Sequence, residues 1–200
     1  MYVSGIIAAS VLAGACSVAA ADDCAAAADR IDATLRDEAH RVKVWRVAWG
    51  VGATVVAGVQ GGIALASDDH DTKVDMTVGA ISTLGIFLGV LLPPDIDDSP
   101  HTEPCPARLV ESEKRLMKAA DTETSARSPL FHVANGLFNI GVGLVLGLGY
   151  GHWTSGAVNA GVGFLVGEAQ ILTTPNGATS TQLAIAPGMS STTVGLSFAF

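Results

Sequence analysis

Leu130 to Tyr150 is a run of 21 residues without a single Lys, Arg, Asp or Glu. At 1.5 Å per residue, a helix of that length crosses the roughly 30 Å hydrocarbon layer of a bilayer. A polar pause, Gly151-His152-Trp153-Thr154-Ser155, leads into a second apolar run, Gly156 to Leu172, of 17 residues. This second run carries Asn159, Glu168 and Gln170 and is a marginal span. Together the two runs read as a membrane helical hairpin, and the rest of the chain is organised around it.

Polar side chains in such runs are expensive, face the interior of the bundle and pair with one another. With the two helices antiparallel about Trp153, Asn139 lies at the depth of Gly167 and Asn135 at that of Ile171. His132, Asn135, Asn139, Glu168 and Gln170 then gather at one end of the hairpin. Glu168 requires a partner, and His132 is the only candidate base within the two apolar runs of the hairpin. Such a cluster serves either as a proton or ion relay or as hydrogen-bonded glue between the helices.

Glycine sets the expected packing. Gly143 and Gly147, Gly147 and Gly151, and Gly163 and Gly167 are each four apart, as are Gly58 and Gly62, and Gly85 and Gly89. Residues four apart share a helix face, and small ones let two backbones approach closely in lipid. One such pair in every apolar run argues for a close-packed bundle. A competing period is present too, since Ile140, Val142, Leu144, Leu146, Leu148 and Tyr150 alternate as a strand would.

With 49% hydrophobic and 15% charged residues, the 200-residue chain reads as one membrane domain. A net charge of −8 with only eleven Lys and Arg argues against nucleic-acid binding. There is no phosphate-binding glycine loop, nucleophile elbow, CxxC pair or zinc-binding His-Glu-x-x-His, so neither an enzyme nor a cofactor or metal is expected.

Residues 1–21 have an apolar core followed by Ala19-Ala20-Ala21, the shape of a signal peptide with an A-x-A cleavage site. Asp22 to Arg46 lacks Gly and Pro and favours helix, with Ile31, Leu35 and Val42 as a thin apolar stripe and Trp45 and Trp49 at the membrane entry. Val47–Ala66 and Met76–Leu92 are the first two mature spans, joined by the acidic Ser67–Lys73 turn. A Pro-rich acidic linker, Asp95–Pro106, precedes a surface helix over Ala107–Ala120, with Leu109, Leu116 and Met117 inward and Glu111 paired with Arg115. Each half then holds a cysteine, an amphipathic helix and two Gly-rich runs, which suggests a duplication of 24–94 in 105–174.

Ten of the eleven Lys and Arg fall in residues 22–46 and 95–129, two segments that four spans place on one side. The positive-inside rule makes that side cytoplasmic, whereas a cleaved signal peptide makes it external. In the tail, Gln182–Pro187 and Thr193–Phe200 alternate about Gly188-Met189-Ser190-Ser191 and read as a β-hairpin. Val194, Leu196, Phe198 and the terminal Phe200 share one face, and this pattern resembles the C-terminal assembly signal of bacterial outer-membrane β-barrel proteins. That resemblance implies a barrel in the outer membrane, which the helical N-terminal half and the short remaining chain oppose.

The expected fold is therefore all-α, a four-span Gly-rich bundle over residues 22–174 with amphipathic surface helices and a β-hairpin tail at 175–200. Cleavage at residue 21 leaves Cys24 and Cys105 as an oxidisable pair on one membrane face. The expected place is a bacterial envelope, the inner membrane ahead of the outer. The expected partners are membrane lipid and a protein or second copy packed on the Gly-rich faces. The expected role is structural or scaffolding, with a small transporter or channel built on the polar cluster, or an outer-membrane barrel, as alternatives.

Overall fold

The computed structural model describes residues 4–91, 96–99 and 103–185, with side chains described over 23–91, 96–99 and 103–181. Every regular element among them is helical: α1 (Ser4–Ala66), α2 (His70–Ser82), α3 (Leu84–Leu91), α4 (Ala107–Ala126), α5 (Pro129–Leu144) running into a π-helical turn (Val145–Gly149), α6 (Trp153–Leu172) and α7 (Gly177–Ile185). No strand occurs among the described residues, which sets aside the barrel alternative. Gln182–Ile185, expected as a strand, instead closes α7. Two alternating apolar positions there, Leu183 and Ile185, are too few to separate a strand from a helical turn. The second expected strand, Thr193–Phe200, lies outside the described residues.

Among the described residues three stretches are long and apolar enough to cross a membrane: Asp23–Ala66, His70–Leu91 and Ala107–Gly149. α6 has 20 residues but is not among them, because Asn159, Glu168 and Gln170 dilute its hydropathy. The apolar stretches are little covered by the protein itself. On α1, Val47, Val51, Val55, Val59 and Ile63, each four apart, are all exposed. On α5, Leu130, Val133, Leu137, Ile140 and Leu144 are exposed too. A surface that apolar is suited to lipid and carries a large penalty in water, about 25 cal/mol for each Å².

Local chemistry explains the breaks. α1 contains no proline over its 63 residues and ends at the polar Ser67-Asp68-Asp69. Asp69, in extended conformation, then caps α2 by accepting a hydrogen bond from the Thr72 amide at 2.8 Å. α2 and α3 part at Thr83, where the hydroxyls of Ser82 and Thr83 both donate to the Gly79 carbonyl, at 2.8 and 3.0 Å. Such back-bonding competes with the helical ladder and bends it. Pro129 opens α5 at its first position, where its missing N–H is no loss.

The chain divides into two compact units, one of residues 1–38, 96–121 and 176–200, the other of 39–95 and 122–175. Each draws on both sequence halves. In the first, Ile31 and Leu35 of α1 pack with Leu116, Ala119 and Ala120 of α4 and Ala178 of α7, flanked by Ile96 and Leu109. The apolar stripe expected on α1 is thus buried, whereas Met117 of α4 is turned outward and 47% exposed. One residue around a helix is 100°, enough to move Met117 off the face that Leu116 buries. Cys24 and Cys105 form a disulfide with their Cα atoms 6.2 Å apart. Arg108 bridges Asp29 and Asp32, and Ser112 donates to Asp32 at 2.6 Å. A cavity of about 370 Å³ opens beside these groups, and its charges are largely matched, Arg108 to Asp32 and Arg115 to Asp97.

Candidate functional site

The second unit holds the polar residues of the apolar runs. α5 and α6 pack along each other, and glycine allows the closest approach: a Cβ on Gly156 would stand 2.6 Å from the Gly143 carbonyl oxygen, and one on Gly143 would stand 2.9 Å from that of Gly156. Gly147 leaves room for the indole of Trp153, whose ring atoms lie 2.6–2.9 Å from where a Cβ would be. Gly151 turns the chain with φ +77°, a left-handed conformation that favours glycine. The alternating stretch Ile140–Tyr150 is helical, with the π turn at its end.

Along this seam the polar side chains find one another. His132 Nδ1 lies 2.6 Å from Glu168 Oε2. Asn135 Nδ2 donates to Glu168 Oε1 at 2.9 Å and to the Phe164 carbonyl at 3.0 Å. Asn139 Nδ2 donates to the side-chain and backbone oxygens of Asn135 at 2.8 and 2.9 Å. The amide oxygens of Asn135 and Asn139 lie directly over Gly167 and Gly163, where any Cβ would collide with them. Asn139 is 5% exposed, while His132 and Glu168 keep 35% and 19% of their side chains accessible. The pairing of His132 with Glu168 follows from the cost of leaving either alone in an apolar run.

Two details differ from the sequence expectation. Asn139 meets Gly163 and Asn135 meets Gly167, one helical turn from the expected Gly167 and Ile171. The chain turns at Gly151 rather than Trp153, after a π-helical turn that no spacing rule anticipates. Gln170 also stands apart from the other four. It is 6% exposed and donates to the Ile86 carbonyl of α3 at 2.9 Å, over Gly89. Two positions along a helix are about 200° around it, so Gln170 and Glu168 face opposite sides.

A second polar group lies at the far end of the seam. His152, at the N-cap of α6, places Nδ1 2.7 Å from Asp75 Oδ1 and Nε2 3.3 Å from Asp71 Oδ1. Ser155 donates to the other oxygen of Asp75. The sequence signal was available: two short polar turns, Ser67–Lys73 and Gly151–Ser155, each join successive apolar runs and so belong at one end of the bundle. At the opposite end Trp45 and Trp49 both donate to Thr173 Oγ1 at 3.2 Å, just past α6, and Arg127 donates to the Leu172 carbonyl at 2.9 Å and to that of Thr174. Among the described residues no group of three or more His, Cys, Asp or Glu side chains is arranged to hold a metal ion.

No family model, curated protein or solved structure matches this chain. Function is therefore read from the geometry alone. The polar network offers hydrogen bonds to itself: both Glu168 oxygens have partners, and Asn135 and Asn139 bond to each other and to backbone. Between it and the His152 group, the direct Gly143–Gly156 backbone contact closes the α5–α6 seam.

Proposed function

We propose that this chain is a non-catalytic integral membrane protein of a bacterial envelope with a structural or scaffolding role. The observation that carries the reading is the closure of the α5–α6 seam, in which polar side chains are matched across the helices and two glycines meet backbone to backbone. An ion path needs polar groups that stay open to a passing ion or to water. Groups matched so fully fit the role of interhelical fasteners, which in membranes contribute about 0.6–2 kcal/mol each.

In this reading residues 1–21 are a signal peptide removed on export, and the Cys24–Cys105 bond reflects an oxidising compartment. Residues 22–174 lie in and on the inner membrane, with the valine-lined face of α1 in lipid. Gly58 and Gly62 have nothing within 4 Å of a notional Cβ, and a second copy or a partner helix packs against α1 there.

The alternative of a small transporter or channel is distinguished by reconstitution. Purified protein in vesicles is expected to carry no proton or monovalent-ion flux, and Glu168→Gln is expected to lower its thermal stability in detergent. Flux in the wild type that Glu168→Gln abolishes would overturn the scaffolding reading in favour of transport.

A further inference from the structure

The geometry points to a protonation-dependent latch: His152, as imidazolium, ties the turn between α5 and α6 to the first turns of α2, and its deprotonation releases that turn. The argument begins with donors and acceptors. A neutral imidazole donates from one nitrogen and presents a lone pair at the other; only the protonated ring donates from both. Here each ring nitrogen faces a carboxylate, Asp75 at 2.7 Å and Asp71 at 3.3 Å. A neutral ring would therefore turn a lone pair toward an anionic oxygen.

The carboxylates that face the ring favour its charged form. α2 supplies the carboxylates of Asp71 and Asp75, and Asp69 in the preceding turn interacts with His152 through space. α6 supplies the Ser155 hydroxyl, which donates to Asp75 and fixes its orientation. Beyond the π turn, the Tyr150 ring lies 6.3 Å from the imidazole, centre to centre. The hydrogen bond to Asp75 first, and then the negative charges of Asp75 and Asp71, outweigh the opposing effect of burial and raise the His152 pKa above its ordinary value. The His152 side chain is only 15% exposed, so little water stands ready to replace these partners.

The mechanical context gives the latch something to release. His152 is held between Gly151, the one described residue with positive φ, and the start of α6, and its own amide donates to the Leu146 carbonyl at 2.9 Å across the π turn. Asp71 and Asp75 are four apart, on one face of α2. The two ion pairs thus join α2 to the α5–α6 turn at the end remote from His132 and Glu168. The sign follows from the raised pKa. Stabilisation by His152 is complete below its unfolded value of about 6.5 and disappears as pH rises through the higher folded value.

The test uses the full chain in detergent micelles or nanodiscs. NMR of ¹³C-labelled histidine should give His152 a titration midpoint above about 6.5, moved down in Asp75→Asn and less so in Asp71→Asn. Hydrogen exchange of the 150–156 amides, corrected for the intrinsic effect of pH, should accelerate at least several-fold above that midpoint in the wild type. In His152→Gln it should be fast and independent of pH. A midpoint at or below about 6.5, or protection of the turn that does not change across the titration, overturns the latch. Where His152→Gln fails to fold, the shifts in Asp71→Asn and in the wild type still decide the matter.

Discussion

At the scale of single residues, glycines of equal spacing have unequal roles. Gly163 supports the Asn139 amide and Gly58 faces open space, although both stand in pairs four apart. Gly163→Leu should displace Asn139 and overpack the seam, at about 1–3 kcal/mol, with further loss from the unmatched amide. Gly58→Leu in the monomer should be close to neutral. Thermal unfolding of the two variants in detergent checks the contrast, and equal melting temperatures would contradict the seam described here. The same scale shows what the sequence makes legible. His132 and Glu168 could be paired from chemistry alone, because each is untenable without a partner in an apolar run. Gln170 could not be placed by the same reasoning, since burial cost says that a partner exists but not on which helix. The meeting of His152 with Asp71 and Asp75 is not legible from either polar turn taken singly, because nothing in one turn says what the other brings beside it.

At the scale of elements, helix ends decide the geometry more than helix interiors do. The long apolar runs were readable as helices from length and composition, and the absence of proline lets α1 run unbroken through both its amphipathic and its apolar parts. Register was not readable to within one turn. The π-helical residues Val145–Gly149 and the left-handed Gly151 move the pivot of the α5–α6 pair, and neither leaves a periodic mark in the sequence. The far end of α6 is held by Arg127, whose guanidinium takes the carbonyl of Leu172, one the helix leaves without an intrahelical donor, and that of Thr174 just past the cap. Hydrogen bonds from a charged group contribute about 1.5–3 kcal/mol each, less where the group is partly exposed. Arg127→Ala should therefore speed amide exchange in residues 170–175 while leaving 135–143 protected. Both bonds come from the one nitrogen Nη2, and an ammonium also carries enough donors for two carbonyls, so Arg127→Lys should recover part of the loss. Equal protection in all three proteins would remove Arg127 from this role.

At the scale of the whole molecule, the charge distribution and the disulfide make opposing statements about compartment. Ten of eleven basic residues lie in 22–46 and 95–129, which the positive-inside rule assigns to the cytoplasm. Cys24 and Cys105 lie within the same segments and are bonded, and disulfides are rare in the reducing cytoplasm. The positive-inside rule biases the orientation of spans during insertion, and the signal peptide proposed above would act before any of them emerges. On the function proposed above, the bond forms in an oxidising compartment after export, and the basic segments lie outside the cytoplasm. The bond joins positions 81 apart in sequence, and restricting so long a loop in the unfolded chain is worth about 2–5 kcal/mol. Among the described residues the same unit has Ile31, Leu35 and Leu116 as the large members of its buried cluster, and a covalent tie adds to what such a cluster contributes. Protein purified under alkylating conditions should show, by intact mass, loss of residues 1–21 and no alkylated thiol. Reduction should then lower the stability of the unit formed by 22–38, 96–121 and 176–185 and leave hydrogen exchange across the α5–α6 seam unchanged. A full-length chain with three alkylated cysteines would return the basic segments to the cytoplasm and keep residues 4–21 as part of a membrane-embedded α1.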